Sequence, residues 1–80
     1  MFDCYDCGED TDVMDEYYMV WDALWLQAMP DADDEMLCIG CLERRLGITL
    51  TKWDFTYAPV NELGGWNKSD RLTNRLTREA

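Results

Sequence analysis

The four cysteines of this chain stand in two Cys-x-x-Cys pairs, Cys4-Tyr5-Asp6-Cys7 and Cys38-Ile39-Gly40-Cys41. Each short loop lets two sulfurs approach one ion, and the segment between the pairs is long enough to return and close a tetrahedron. No cysteine is left over and the chain has no histidine, so there is no rival ligand set. The spacing predicts a closed four-thiolate Zn2+ site held by Cys4, Cys7, Cys38 and Cys41. Two disulfides are the competing structural reading. A redox function would need only one such pair, in a βαβ setting that the pattern lacks.

Eighty residues allow one small domain. Chains of this size bury only about 60% of their unfolded surface, so a metal or disulfide staple is commonly required. A hydrophobic fraction of 48% and four tryptophans argue against disorder, despite a net charge of −10. The longest mostly apolar stretch, residues 20–29, is interrupted by Asp22 and Gln27 and is too short to span a membrane. Met1-Phe2-Asp3-Cys4 has neither the basic nor the apolar region of a secretory signal, so a cytoplasmic protein with reduced thiols is expected.

The charge is unevenly placed. Residues 1–43 carry nine Asp and four Glu with no Lys or Arg (−13), whereas residues 44–80 carry seven Lys or Arg against four acids (+3). Four thiolates around a divalent ion add a further −2. Direct binding of the acidic half to nucleic acid is therefore disfavoured. The fitting partner is a protein with a basic surface, including one that normally holds nucleic acid. The plainer reading is that the acids keep a metal-held lobe soluble.

A coarse pass places these features. Gly8 permits a tight turn after the first knuckle, and residues 9–16 read as an acidic loop. Tyr17-Tyr18-Met19-Val20-Trp21 has the aromatic and β-branched content of a short strand. Asp22 is placed to cap a helix from Ala23 to Met29, stopped by Pro30; a longer helix from near Asp15 competes with this reading. Met36-Leu37 reads as a short strand leading into the second knuckle. Cys41 to Leu46 reads as a helix with Leu42 and Leu46 on one face and Gly47 past its end. Thr51-Lys52-Trp53-Asp54 resembles a capping box, with Asp in place of Glu, opening a helical turn through Phe55 and Tyr57. Residues 61–68 read as a loop, and Ser69 caps a last helix from Asp70 to about Arg78. The expected fold is α+β: a small zinc-stapled, treble-clef-like domain with a short β element and three to four short helices. A knuckle lobe spans 1–47 and a helical part 48–80.

Catalysis is disfavoured throughout. A zinc with four thiolates keeps no open position for water. Glu43 follows Cys41 by two positions, as in zinc deaminases, yet four ligating cysteines leave no vacancy there either. The absence of histidine removes Ser/His and Cys/His nucleophile pairs. Asp31-Ala32-Asp33-Asp34-Glu35 fails as a calcium loop, since Met36 and Leu42 occupy its glycine and glutamate positions.

What remains is surface. Arg71, Arg75 and Arg78 share a helical stripe that would touch phosphates or, more simply, pair with the acidic lobe within the chain or across a homodimer. Trp21, Trp25, Trp53, Phe55 and Tyr57 are read as core. Because four tryptophans exceed the needs of so small a core, Trp25 or Trp66 is the candidate exposed contact, with Asp31, Asp33 and Asp34 beside it.

The run Cys38 to Gly47, with Leu50-Thr51, Asp54-Phe55, Pro59-Val60-Asn61, Ser69 and Arg71-Leu72, resembles a set of small proteins from actinobacteria and their phages. These carry an N-terminal Cys-x-x-Cys, a Met-Val-x-x-x-x-Trp segment (here Met19-Val20 and Trp25) and a Cys-x-x-Cys-Leu-Glu-x-Arg-Leu-Gly block. Ile48 departs from the set, where arginine is expected. The resemblance implies a zinc-binding domain and a phage or actinobacterial setting, hence the host cytoplasm for a phage product, but no activity. The leading expectation is a non-enzymatic zinc protein that binds another protein, as a modulator of a host factor. An acidic nucleic-acid mimic is the first alternative. A nucleic-acid-binding domain using the arginine helix is the second.

Overall fold

The structure, a computed structural model, describes residues 3–31, 35–64 and 67–79. They form three short helices, α1 (Asp22–Ala28), α2 (Ile39–Leu46) and α3 (Asp70–Thr77). Single 3-10 turns lie at Lys52–Asp54 and Pro59–Asn61. Among the described residues, pairing of β type is limited to isolated bridges, Asp3 with Asp10, Cys4 with Met36, and Val20 with Phe55.

Local chemistry sets most helix ends. Ser69 accepts from the Leu72 N–H and opens α3 as expected. Gly47, at φ 71°, closes α2 by donating to the Glu43 carbonyl. Asp22 does not cap α1. Trp21 occupies the cap position without a side-chain bond, and Asp22 sits in the first turn, where its charge favours the helix dipole instead. α1 ends at Ala28, because the proline ring disfavours helical backbone at Met29, the non-helical cap residue before Pro30. The longer helix from Asp15 does not form, because that residue sits in a turn at φ 58°.

Two other expectations are corrected. The Thr51 capping box is present with both of its bonds, yet its helix lasts one 3-10 turn and stops at Asp54. Phe55 adopts extended backbone, pairs with Val20 and is buried, so packing overrides local propensity. The Tyr17–Trp21 strand contracts to one bridge because the buried Asn61 side chain takes over as the partner of Met19. Its Oδ1 accepts from the Met19 N–H at 3.0 Å, and its Nδ2 donates to the Met19 carbonyl at 2.7 Å. Asn61→Ala orphans the Met19 N–H and leaves the Met19 carbonyl to its Thr56 donors alone. We expect it to cost about 2 kcal/mol, read as a lowered denaturant midpoint of the metal-loaded protein.

The core joins all three helices. Leu37, Ile39, Leu42, Leu50, Leu72 and Met29 are fully buried. Tyr18 lies among them, edge-on to Trp25 and Phe55, and donates its hydroxyl to the Leu37 carbonyl at 2.7 Å. Leu46 and Leu76 pack against this cluster from the second positions of their helical stripes. The supposed acidic loop 9–16 also contributes, since Thr11 and Glu16 are buried. Among the described residues, no helix is long and apolar enough to cross a membrane.

Candidate metal centre

The two knuckles meet. The sulfurs of Cys4, Cys7, Cys38 and Cys41 all lie within 4.8 Å of one another, and the cysteines are not disulfide-bonded. The Cys7 and Cys38 sulfurs are 3.9 Å apart. Four sulfurs at about 2.3 Å from one tetrahedral ion stand about 3.8 Å apart, so this donor set fits a metal ion. Cys4, Cys38 and Cys41 are buried, whereas Cys7 is exposed at the rim.

The backbone around the site favours thiolate at Cys4 but not at the second knuckle. Burial alone would raise the Cys4 thiol, but the N–H groups of Cys7, Cys38 and Asp6 act on its sulfur and bring it down to about 7. Burial raises Cys38 despite the Cys41 N–H, and burial with the Cys38 and Cys4 sulfurs drives Cys41 far up. One of these thiols ionises readily and its neighbours then resist. A bound cation removes that conflict by neutralising the cluster.

Local pairing brings the loops together. The Tyr5 N–H donates to the Met36 carbonyl at 2.7 Å beside the Cys4–Met36 bridge, so the strand-like entry to the second knuckle runs along the first. Gly8, at φ 79°, turns the chain and donates back to the Cys4 carbonyl. The second knuckle passes directly into α2. That helix starts at Ile39 rather than at Cys41, with Cys38 at its cap position, because the loop's own backbone is already helical.

An arginine grips each knuckle. Arg45 of α2 makes a fork to Asp6, with Nε to Oδ2 at 2.7 Å and Nη2 to Oδ1 at 2.6 Å. Its Nη1 reaches the Ala28 carbonyl, and its guanidinium lies over the Tyr5 ring. Asp6 and Tyr5 are the two central residues of the first knuckle. Arg71 of α3 makes the matching fork to Glu16, at 3.0 and 2.7 Å. Glu16 also accepts from the Ile39 N–H inside the second knuckle, at 3.0 Å, and from the Ser69 hydroxyl at 2.8 Å. Burial would raise the Glu16 carboxyl, yet Arg71, Ser69 and Ile39 together hold it below the usual carboxylate range.

The Arg71 guanidinium also explains a glycine. A Cβ at Gly40 would lie 2.6 Å from Arg71 Nη1. A free arginine would swing away at little cost, but this one is held at two nitrogens by Glu16. Gly40→Ala is therefore expected to destabilise by about 1–2 kcal/mol, even though alanine is the better helix former, as measured by thermal or denaturant unfolding.

The remaining sequence candidates are dispersed. Arg75 forks onto Glu43, whose carboxylate also accepts the Leu50 N–H at 2.8 Å. Arg78 is exposed, and its carbonyl takes the Lys52 N–H. Trp25 is half-buried against the core, and Asp31 is exposed. Asp33, Asp34 and Trp66 lie outside the described residues. Sequence reasoning missed Glu16, which looks like one more acid in an acidic run, and missed the outward-facing rings. Trp21, Trp53 and Tyr57, read as core, are 43%, 67% and 91% exposed. Burial in the chain offers no linear signal for either. No protein family, curated protein or solved structure matches the chain.

Proposed function

We propose that this chain is a non-enzymatic, zinc-stapled module that binds another protein through a basic surface on that partner. The observation that carries the reading is the inward use of the arginines. Arg45, Arg71 and Arg75 are each committed to a carboxylate fork within the chain. With seventeen acids against seven bases, at least ten carboxylates remain uncompensated however the rest pair. That balance favours a basic protein partner over phosphate binding by α3. Zinc is the ion that four thiolates in a tetrahedral set select most commonly in structural sites, and such a site is closed to substrate. A knuckle that opens directly into α2 supports the treble-clef description. The resemblance to actinobacterial and phage proteins supports a modulator of a host factor, acting in the host cytoplasm.

Affinity capture on the zinc-loaded protein from actinobacterial lysate, with nuclease treatment, tests the reading. A basic partner retained through nuclease digestion is expected. A stable low-salt complex with duplex DNA or RNA instead would overturn it. If the captured partner is released by competing DNA, the carboxylates occupy a nucleic-acid groove, and the acidic-mimic reading is the correct form.

A further inference from the structure

We propose that Trp21, Trp53 and Tyr57 form a docking corner for an arginine-bearing segment of a partner protein. This rests on the protein-binding reading above and assigns its contact surface. The corner follows from the single bridge between Val20 and Phe55. Those two side chains are buried, and the bridge is flanked by bonds from the Trp21 N–H to the Asp54 carbonyl and from the Thr56 N–H to the Met19 carbonyl. The three rings on either side of the bridge lie outside the core, and those of Trp21 and Tyr57 are held together. Trp21 donates its indole N–H to the Trp53 carbonyl at 3.0 Å and stands edge-on to Tyr57, with centroids 5.8 Å apart and planes at 84°. Its one polar atom is spent on the protein rather than on water. Exposed aromatic surface held in fixed geometry is the feature expected of a contact site.

Charge selects the occupant. Asp22 and Asp54 directly follow Trp21 and Trp53 in the chain, and the whole molecule carries −10. A second copy would bring the same charge, and a nucleic acid would bring phosphates, so both are repelled. A cationic side chain is attracted, and the ring faces are suited to it. Lys52 already places its ammonium 4.7 Å from the Trp53 ring centre while pairing with Glu79. Arginine is favoured over lysine because its planar, weakly hydrated guanidinium stacks on aromatic faces.

The test uses the zinc-loaded, 15N-labelled chain and a capped glycine-serine peptide bearing four spaced arginines. The control is the same peptide with neutral citrulline at those positions. Saturable shifts of the Trp21 and Trp53 indole N–H signals are expected with the arginine peptide and not with the citrulline peptide. Tyr57→Ala and Trp53→Ala, both at exposed rings, should each weaken binding by roughly five- to tenfold. Shifts spread over the acids of residues 3–15, with affinity unchanged in Tyr57→Ala, would overturn the corner. So would the absence of a saturable indole shift. A lysate partner captured equally by the wild type and Tyr57→Ala leaves the protein-binding reading standing and removes only this surface.

Discussion

Stripping the four-cysteine centre of its metal with a strong chelator is expected to unfold the chain rather than merely loosen it. Structural zinc contributes on the order of 10 kcal/mol to small metal-dependent domains, comparable with the entire stability of an ordinary domain. Here the centre joins the first knuckle to the start of α2, and among the described residues the Cys4–Met36 bridge with the Tyr5 bond ties the backbone at the first knuckle to the entry of the second. Without the ion, buried Cys4, Cys38 and Cys41 either protonate or crowd like charges together. Burial also ranks the ligands. Cys38→Ser should abolish folding, because the residue is buried at the cap of α2. Cys7→Ser should leave a folded but weaker metal site, because the exposed rim admits water as a substitute ligand. Amide dispersion in a 15N spectrum, read beside elemental analysis at one metal per chain, checks both. Native dispersion in a verified metal-free sample would refute the staple.

The parts of this architecture that were readable in the chain are those whose cause lies within a few residues. The cysteine spacing, the Ser69 cap, the Thr51 capping box and the left-handed Gly47 each satisfy a local requirement, and each is found where it was expected. What escaped depends on partners far along the chain. Glu16 meets Arg71 across 55 positions, and Asn61 meets Met19 across 42. Nothing in an acidic run marks the one carboxylate that will be buried. The aromatic residues escaped for a related reason. Phe55 and Tyr57 are two positions apart, yet one is buried and the other almost wholly exposed, because a single bridge and an asparagine side chain end the pairing between them. Composition set how much aromatic surface the fold had to place, while tertiary pairing decided which rings faced solvent.

The Glu16–Arg71 pair should be the costliest polar contact to break outside the metal ligands, and its two halves should not cost the same. The Glu16 side chain is 3% exposed and that of Arg71 38%. Arg71→Leu leaves a carboxylate buried with only the Ile39 N–H and Ser69 hydroxyl, and is expected to cost about 3–4 kcal/mol at neutral pH. Glu16→Gln leaves a guanidinium that can turn to water, and should cost about 1–2 kcal/mol. The double variant should lose less than the sum, because neither charge is then stranded. Acid separates the two effects. Glu16 is held below its unfolded value, so its stabilisation is complete above about pH 4.3 and is lost as pH falls through the lower folded value. The deficit of Glu16→Gln relative to wild type should therefore shrink on acidification below that point. In Arg71→Leu the stranded carboxylate takes up a proton more readily than in the unfolded chain, so its deficit should already shrink above that point. Denaturant melts of the three metal-loaded variants between pH 7 and the onset of metal loss measure this. Equal and strictly additive costs, unchanged by pH, would show that the fork is an exposed ion pair of the ordinary weak kind, and that Arg71 is held to the second knuckle by something else.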